Sequence, residues 1–190
     1  KMTQMKLLLK LLKLKVRNVL SVGKLVKIHV EGIMTKKKIL NFFFIICIFL
    51  TDRLSKVWVI GNEKISGESY FSVAPFLNFD LIWNDGIAFG LFSFEHKTYY
   101  NLMTAVIVLI TLIIFWMITK TKDIEKLGFM MIFGGSLGNI FDRLYYNSVP
   151  DFIDIYINNF HWFIFNVADI FISLGVILLI VLELFRKNKS

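Results

Sequence analysis

The sequence predicts an all-α membrane protein, with four transmembrane helices and a small extracytoplasmic β element, on three observations. The 190 residues are 56% hydrophobic and 16% aromatic with only two prolines, and the mean hydropathy is +0.66, too apolar for a soluble domain of this size. Four apolar stretches, at about 39–60, 99–119, 127–145 and 167–185, are each near the ~20 residues that cross a bilayer core. Basic clusters flank them on one side: Lys36–Lys38 before the first, Lys120, Lys122 and Lys126 between the second and third, and Arg186, Lys187 and Lys189 after the fourth. By the positive-inside rule these place both termini in the cytoplasm.

The formal charge of +8 does not point to nucleic acid. Residues 1–33 hold eight Lys or Arg against Glu31 alone, leaving 14 basic and 13 acidic residues beyond them. This extension, KLLLKLLKLKVRNVL in part, reads either as a basic amphipathic helix for an anionic cytoplasmic leaflet or as a dispensable or non-native segment preceding a natural start at Met34. Residues 34–190 then form the membrane domain. The first span has no small-residue cleavage site after it and reads as an anchor. Cys47 has no partner for an internal disulfide, and its neighbours Phe44, Ile45 and Ile46 are too large for a lipidation signal, so it reads as a packed thiol.

Asp52, Arg53 and Lys56 interrupt the first span. Asp52 lies about 21 Å along a helix from Lys38, near the far face. Asp52 and Lys56 are one turn apart, either a neutral pair that anchors the helix end or a support for a site. Between spans one and two, Leu77, Phe79, Leu81 and Trp83 alternate with Asn78, Asp80 and Ile82 as in a strand, and Asn84-Asp85-Gly86 follows as a turn signal. Asn84 on spacing alone is a turn residue. In span three, Gly134 and Gly138 stand four apart, which permits close helix packing. Gly135, Asn139 and Arg143 share a face, with Asp142 beside Arg143. Asn139 reads as an interhelical hydrogen bonder or a site residue, and Arg143 as a snorkelling cation or a site residue. Ile153, Ile155 and Ile157 alternate with polar residues in a second β element that ends on a turn at Asn158-Asn159.

Asn166 and Asp169 have the spacing of an N-cap and its N3 partner at the start of span four, and Asp151 alone is an ordinary loop acid. Both aspartates nevertheless fall at one outer membrane edge, where an ionisable group is costly unless it is paired or functional. Two carboxylates held close share a proton, so one can activate water while the other protonates a leaving group. No nucleophile elbow or phosphate loop competes, and His29, His96 and His161 have no metal-ligand spacing.

At these residues the chain resembles the lipoprotein signal peptidases, the signal peptidase II family of aspartic membrane peptidases. The matching segments, in order, are Asp52 with Lys56, then Asn84-Asp85-Gly86-Ile87-Ala88-Phe89-Gly90, Gly138-Asn139-Ile140-Phe141-Asp142-Arg143, Val149-Pro150-Asp151-Phe152-Ile153-Asp154 and Phe165-Asn166-Val167-Ala168-Asp169. They span roughly Lys36 to Lys187. Pro150 is the less usual residue, and it removes no functional group. The resemblance implies Asp151 and Asp169 as the catalytic dyad. It also implies Asp52, Lys56, Asn84, Gly86, Asn139, Arg143 and Asn166 as substrate-binding or site-shaping residues. It implies no metal or organic cofactor, a diacylglyceryl-modified prolipoprotein as substrate, membrane lipid as surroundings, and a place in the bacterial inner membrane with the site at the outer face. Two other classes remain open at this level: a small transporter or proton-relay subunit, and a scaffold whose polar residues only join helices.

Every matching segment lies after residue 33. A chain beginning at Met34 is therefore expected to keep its topology and its peptidase activity, read by protease accessibility in membranes and by cleavage of a lipid-modified substrate. Correct insertion without cleavage refutes this.

Overall fold

The computed structural model describes Ser21 and residues 36–63, 70–86, 97–157 and 160–187. The expected N-terminal extension, apart from Ser21, and the expected turn at Asn158-Asn159 lie outside the described residues, as do Ile87 to Gly90. The chain forms two compact units, Lys1–Phe43 and Phe44–Ser190. The described part of the first, residues 36–43, is helical, and every described strand belongs to the second.

Eight elements are described: α1 (residues 36–63), β1 (Tyr70–Ala74), β2 (Leu77–Asn84), α2 (Lys97–Lys120), α3 (Asp123–Tyr146), β3 (Val149–Ile157), β4 (Phe160–Phe165) and α4 (Val167–Lys187). Among the described residues, two helices are long and apolar enough to cross a membrane, Thr98–Lys120 with mean hydropathy 2.7 and Val167–Arg186 with 2.6. α1 and α3 are as long, but charged residues interrupt them. Their charges Asp52, Arg53, Lys56, Asp142 and Arg143 are buried, while Leu54, Val57, Trp58, Phe141, Leu144 and Tyr145 face outward.

The two β elements expected from the sequence are one antiparallel sheet in the order β1-β2-β3-β4. They merge because β2 and β3, distant in the chain, pair edge to edge as antiparallel neighbours. Asn84 lies opposite Val149, and Leu77 lies opposite Ile155. The core of this region is Val59 and Ile60 from α1, Leu81 from β2, and Phe152 and Ile153 from β3. Phe79 meets Phe152 edge to face at 5.5 Å. The predicted alternation in β2 fails beyond Leu81, because the register shifts between Phe79 and Ile82. Ile82 and Trp83 are exposed while Asn84 turns inward, which is the re-aiming expected of a bulge. Trp83 packs on Tyr146 at 5.2 Å.

Glycines on α3 set the helix spacing. A Cβ at Gly134 would lie 3.0 Å from the Ile48 side chain of α1, and one at Gly138 would strike the Asp52 carboxylate. One at Gly135 would come within 2.5 Å of the Ala168 carbonyl oxygen on α4. These close approaches agree with the small-residue spacing seen in the sequence. At the other end of α3, Arg186 of α4 reaches Glu125 at 3.5 Å, so the start of α3 and the end of α4 lie together, away from the sheet.

Gly135→Ala is expected to push α4 off α3. Such overpacking costs about 1–3 kcal/mol, to be read as a lower unfolding temperature in detergent. An unchanged unfolding temperature would mean that the Ala168 carbonyl can move aside.

Candidate active site

The chain leaves α3 at Tyr146, and β3 places Asp151 three residues into the strand. The β3–β4 hairpin then returns the chain to Asn166 and the first turn of α4. There Asn166 acts as the N-cap foreseen in the sequence. Its side-chain oxygen accepts from the Asp169 N–H at 3.1 Å, and the Asp169 carboxylate accepts from the Asn166 N–H at 3.2 Å. The reciprocal pair is a capping box that fixes Asp169 at the positive end of the helix.

The same asparagine joins the two acids. The Asn166 amide nitrogen donates to Asp151 Oδ1 at 2.5 Å, and that of Asn84 donates to Asp151 Oδ2 at 2.8 Å. Asn139 donates to Asp169 Oδ1 at 2.8 Å. All four carboxylate oxygens of the pair thus accept a neutral N–H. Each asparagine is oriented by what holds its oxygen: the Gly86 N–H at 2.8 Å for Asn84, the Asp169 N–H for Asn166, and the Lys56 ammonium at 2.9 Å for Asn139.

Both aspartates line a cavity of about 220 Å³, together with Asn84, Asn139, Arg143 and Asn166. Ser136 and Ser173 add hydroxyls to its wall, and Ile107, Val149 and Ile172 add apolar surface. Arg143 is buried and does not snorkel. It donates to the Gly86 carbonyl at 3.1 Å and to the Asn139 carbonyl at 3.2 Å, while its Nε is buried with no partner among the described residues. Burial first, and the nearby Asp169 charge second, push the Asp151 carboxyl up from 3.8 to about 6, against the opposing pull of the Asn84 and Asn166 donors and Lys56.

Behind Asn139 lies a cluster of buried ions. Lys56 Nζ donates to Asp52 Oδ2 at 2.9 Å and to Asp142 Oδ2 at 2.6 Å. Arg53 pairs with the other oxygen of Asp142 and lies over the Phe141 ring at 4.6 Å. Asp52 Oδ1 accepts from the Ala168 N–H at 2.9 Å. Two acids and two bases balance, as burial of charge demands.

A family model described as Signal peptidase (SPase) II matches residues 44–185. The chain belongs to the signal peptidase II family. It is 46% identical over 151 residues to the lipoprotein signal peptidase of Pelagibacter ubique, covering 80% of this chain and 91% of the relative. It is 44% identical over 141 residues to that of Wigglesworthia glossinidia brevipalpis, covering 72% and 88%. A bacterial membrane enzyme solved by the in meso method at 2.3 Å resolution superposes with a TM-score of 0.63 at 27% identity, covering 80% of this chain and 91% of that one.

All nine site residues expected from the sequence as signal peptidase II residues are in this region. Asp151, Asp169, Asn84, Asn139, Arg143 and Asn166 line the cavity. Gly86 supports Asn84 and Arg143 through its backbone, and Asp52 and Lys56 stand one contact further back. The 2.9 Å contact between them is the i,i+4 pair foreseen. Sequence reasoning quotes Asp142 in a matching segment and Arg53 in the first span but assigns neither a role in the site. Charge balance carries the signal for them: with Asp52 and Lys56 neutral together, a buried Arg53 requires an acid, and Asp142 sits one turn from Asn139.

A carboxyl whose pKa is raised on folding favours the fold while protonated, fully so below about pH 4, and this contribution is lost as pH rises through about 6. For Asp151 the difference amounts to about 3 kcal/mol. The unfolding temperature in detergent is expected to fall between pH 4 and 7, and Asp151→Asn is expected to flatten that slope. Equal slopes in the two proteins would contradict a raised Asp151.

Proposed function

We propose that this chain is a membrane aspartic endopeptidase that removes the signal peptide from bacterial prolipoproteins, cutting before the diacylglyceryl-modified cysteine. Membership of the signal peptidase II family supports prolipoproteins as substrate. The observation that carries the aspartic chemistry is the pairing of Asp151 and Asp169 in one buried cavity, with every carboxylate oxygen held by a neutral donor. Neutral donors orient the acids without neutralising them, so the proton remains available for transfer.

In this reading Asp169, at the helix N-terminus, is the anion and Asp151 holds the shared proton. Asp169 takes a proton from water as the oxygen adds to the scissile carbonyl, and Asp151 gives its proton to the carbonyl oxygen. The gem-diol intermediate then collapses: Asp169 gives its proton to the leaving amide nitrogen, Asp151 takes one back from a gem-diol hydroxyl as the carbonyl re-forms, and the C–N bond breaks. Arg143 offsets the negative charge of the site. Asn84, Asn139 and Asn166 hold the carboxylates in place, and the scheme calls on no metal or cofactor.

We place all four helices across the bacterial inner membrane, with both termini cytoplasmic and the sheet and cavity at the outer face. The support is segregation: α1 and α3 bury their charges against each other and turn apolar side chains outward, as helices in lipid must. The pairing of Arg186 with Glu125 puts the basic loop and the basic C-terminal end on one side, in keeping with the positive-inside rule. A lipid-anchored substrate holds its scissile bond at the membrane surface, where the cavity would lie. The transporter reading has no observation in its favour.

Asp151→Asn and Asp169→Asn are each expected to lower kcat on a lipid-modified prolipoprotein peptide by at least about 10³-fold, with near-normal expression and membrane insertion. Asp169→Asn is expected to lose about 1 kcal/mol of stability as well through the cap. The wild-type kcat/KM profile should be bell-shaped, with the alkaline limb set by Asp151 at about 6. Near-wild-type turnover in either variant, or a profile flat through both limbs, would remove the dyad.

A further inference from the structure

Asn84 and Asn166 are oriented locally, by backbone N–H groups two and three residues along the chain. Asn139 has no such anchor. It sits inside α3, where backbone N–H groups are engaged in the helix ladder, and its oxygen is held from another helix by Lys56 Nζ at 2.9 Å. An ammonium can only donate. The carboxamide atom facing Lys56 is therefore oxygen, and the NH₂ is left to face Asp169 Oδ1 at 2.8 Å. The opposite flip would set NH₂ against ammonium and oxygen against carboxylate, so both contacts would turn repulsive together.

We propose that Lys56 is a positioning residue for the reaction: it selects the flip of Asn139 that aims an N–H at Asp169, and Asp52, Asp142 and Arg53 form the ion cluster that keeps this ammonium in place. The inference rests on the reading of Asp151 and Asp169 as the dyad. All three ammonium hydrogens are engaged, by Asp52, Asn139 and Asp142, so Lys56 cannot turn away. Two carboxylates around one ammonium would leave an excess negative charge close to the dyad, and Arg53 cancels it through Asp142. Asp52 also holds the Ala168 N–H at 2.9 Å, so the cluster grips both the asparagine that aims at Asp169 and the helical turn that carries Asp169. Among the described residues, the charged groups around Asn139 are Asp52, Arg53 and Lys56 from α1, Asp142 and Arg143 from α3, Asp151 from β3 and Asp169 from α4.

The test uses the full chain in detergent with a synthetic lipid-modified prolipoprotein peptide. Asp52→Asn with Lys56→Met removes one acid and one base together and leaves Asp142 paired with Arg53. Its kcat is expected to fall on the order of 10²-fold, as for loss of one preorganised donor, with KM within about twofold. The acidic limb of the pH–rate profile should move to higher pH, because the Asp169 anion no longer has an aimed donor. Asn139→Asp, which keeps a partner for Lys56 but presents oxygen to Asp169, should reproduce both effects. The triple variant should be no slower than the slower of the two, since the groups act as one unit.

A folded double variant with wild-type kcat, a kcat loss with the acidic limb unmoved, or losses that multiply in the triple variant would each overturn the proposal, the second by showing a role in stability only. If the double variant does not fold, Asp52→Asn with Lys56→Gln restores a neutral donor of similar length, and the same kcat and pH criteria decide. Failure of the dyad itself is distinguishable, because it appears as activity retained in Asp151→Asn or Asp169→Asn.

Discussion

The structure depends on keeping two carboxyl groups in an apolar setting without neutralising them. A cation bonded directly to either aspartate would stabilise its anion. Here three carboxamides and one backbone N–H bond the four oxygens, and each carboxamide is locked by a donor on its own oxygen. The full positive charges stand one bond further back. Lys56 and Arg53 are balanced by Asp52 and Asp142, and Arg143 is tied to carbonyl oxygens.

That arrangement explains several features of the fold that otherwise look unrelated. The register shift in β2 turns Asn84 inward while Ile82 and Trp83 face out. Gly138 is required where α3 meets the Asp52 carboxylate, and Gly135 where α3 meets the Ala168 carbonyl. The β3–β4 hairpin brings the start of β3 and the first turn of α4 together, so that Asn166 touches both acids. A shift in any of these would separate a donor from its carboxylate.

The ion cluster also bears on insertion into lipid. A charge at the centre of a bilayer is costly unless it is paired and turned inward, and α1 and α3 carry complementary charges on facing sides. Neither helix matches the uniform apolarity of α2 and α4. The ions that pair these two helices also contact Asn139 and the first turn of α4. Breaking such a pair by removing one partner typically costs about 3–5 kcal/mol, which couples folding to the geometry of the site.

Much of this protein is legible in its residues, because the information is local or periodic. Hydropathy marks the helices, the Asn166–Asp169 spacing marks a capping box, Asp52 and Lys56 mark a one-turn pair, and the order of short motifs marks the family. What the linear pattern could not decide depends on contacts between distant segments. The sequence suggests two β elements, and only the pairing of β2 with β3 makes them one sheet. The alternation of Leu77 to Trp83 puts Trp83 on the core face, and a register shift against the partner strand exposes it. Asn84 could be a turn residue and Arg143 a snorkelling cation until tertiary structure buries both around one cavity. The assignment of Arg53 and Asp142 to the cluster follows from charge balance across two helices 89 residues apart at that contact. A charge balance is a property of what is brought together, and no single segment records it.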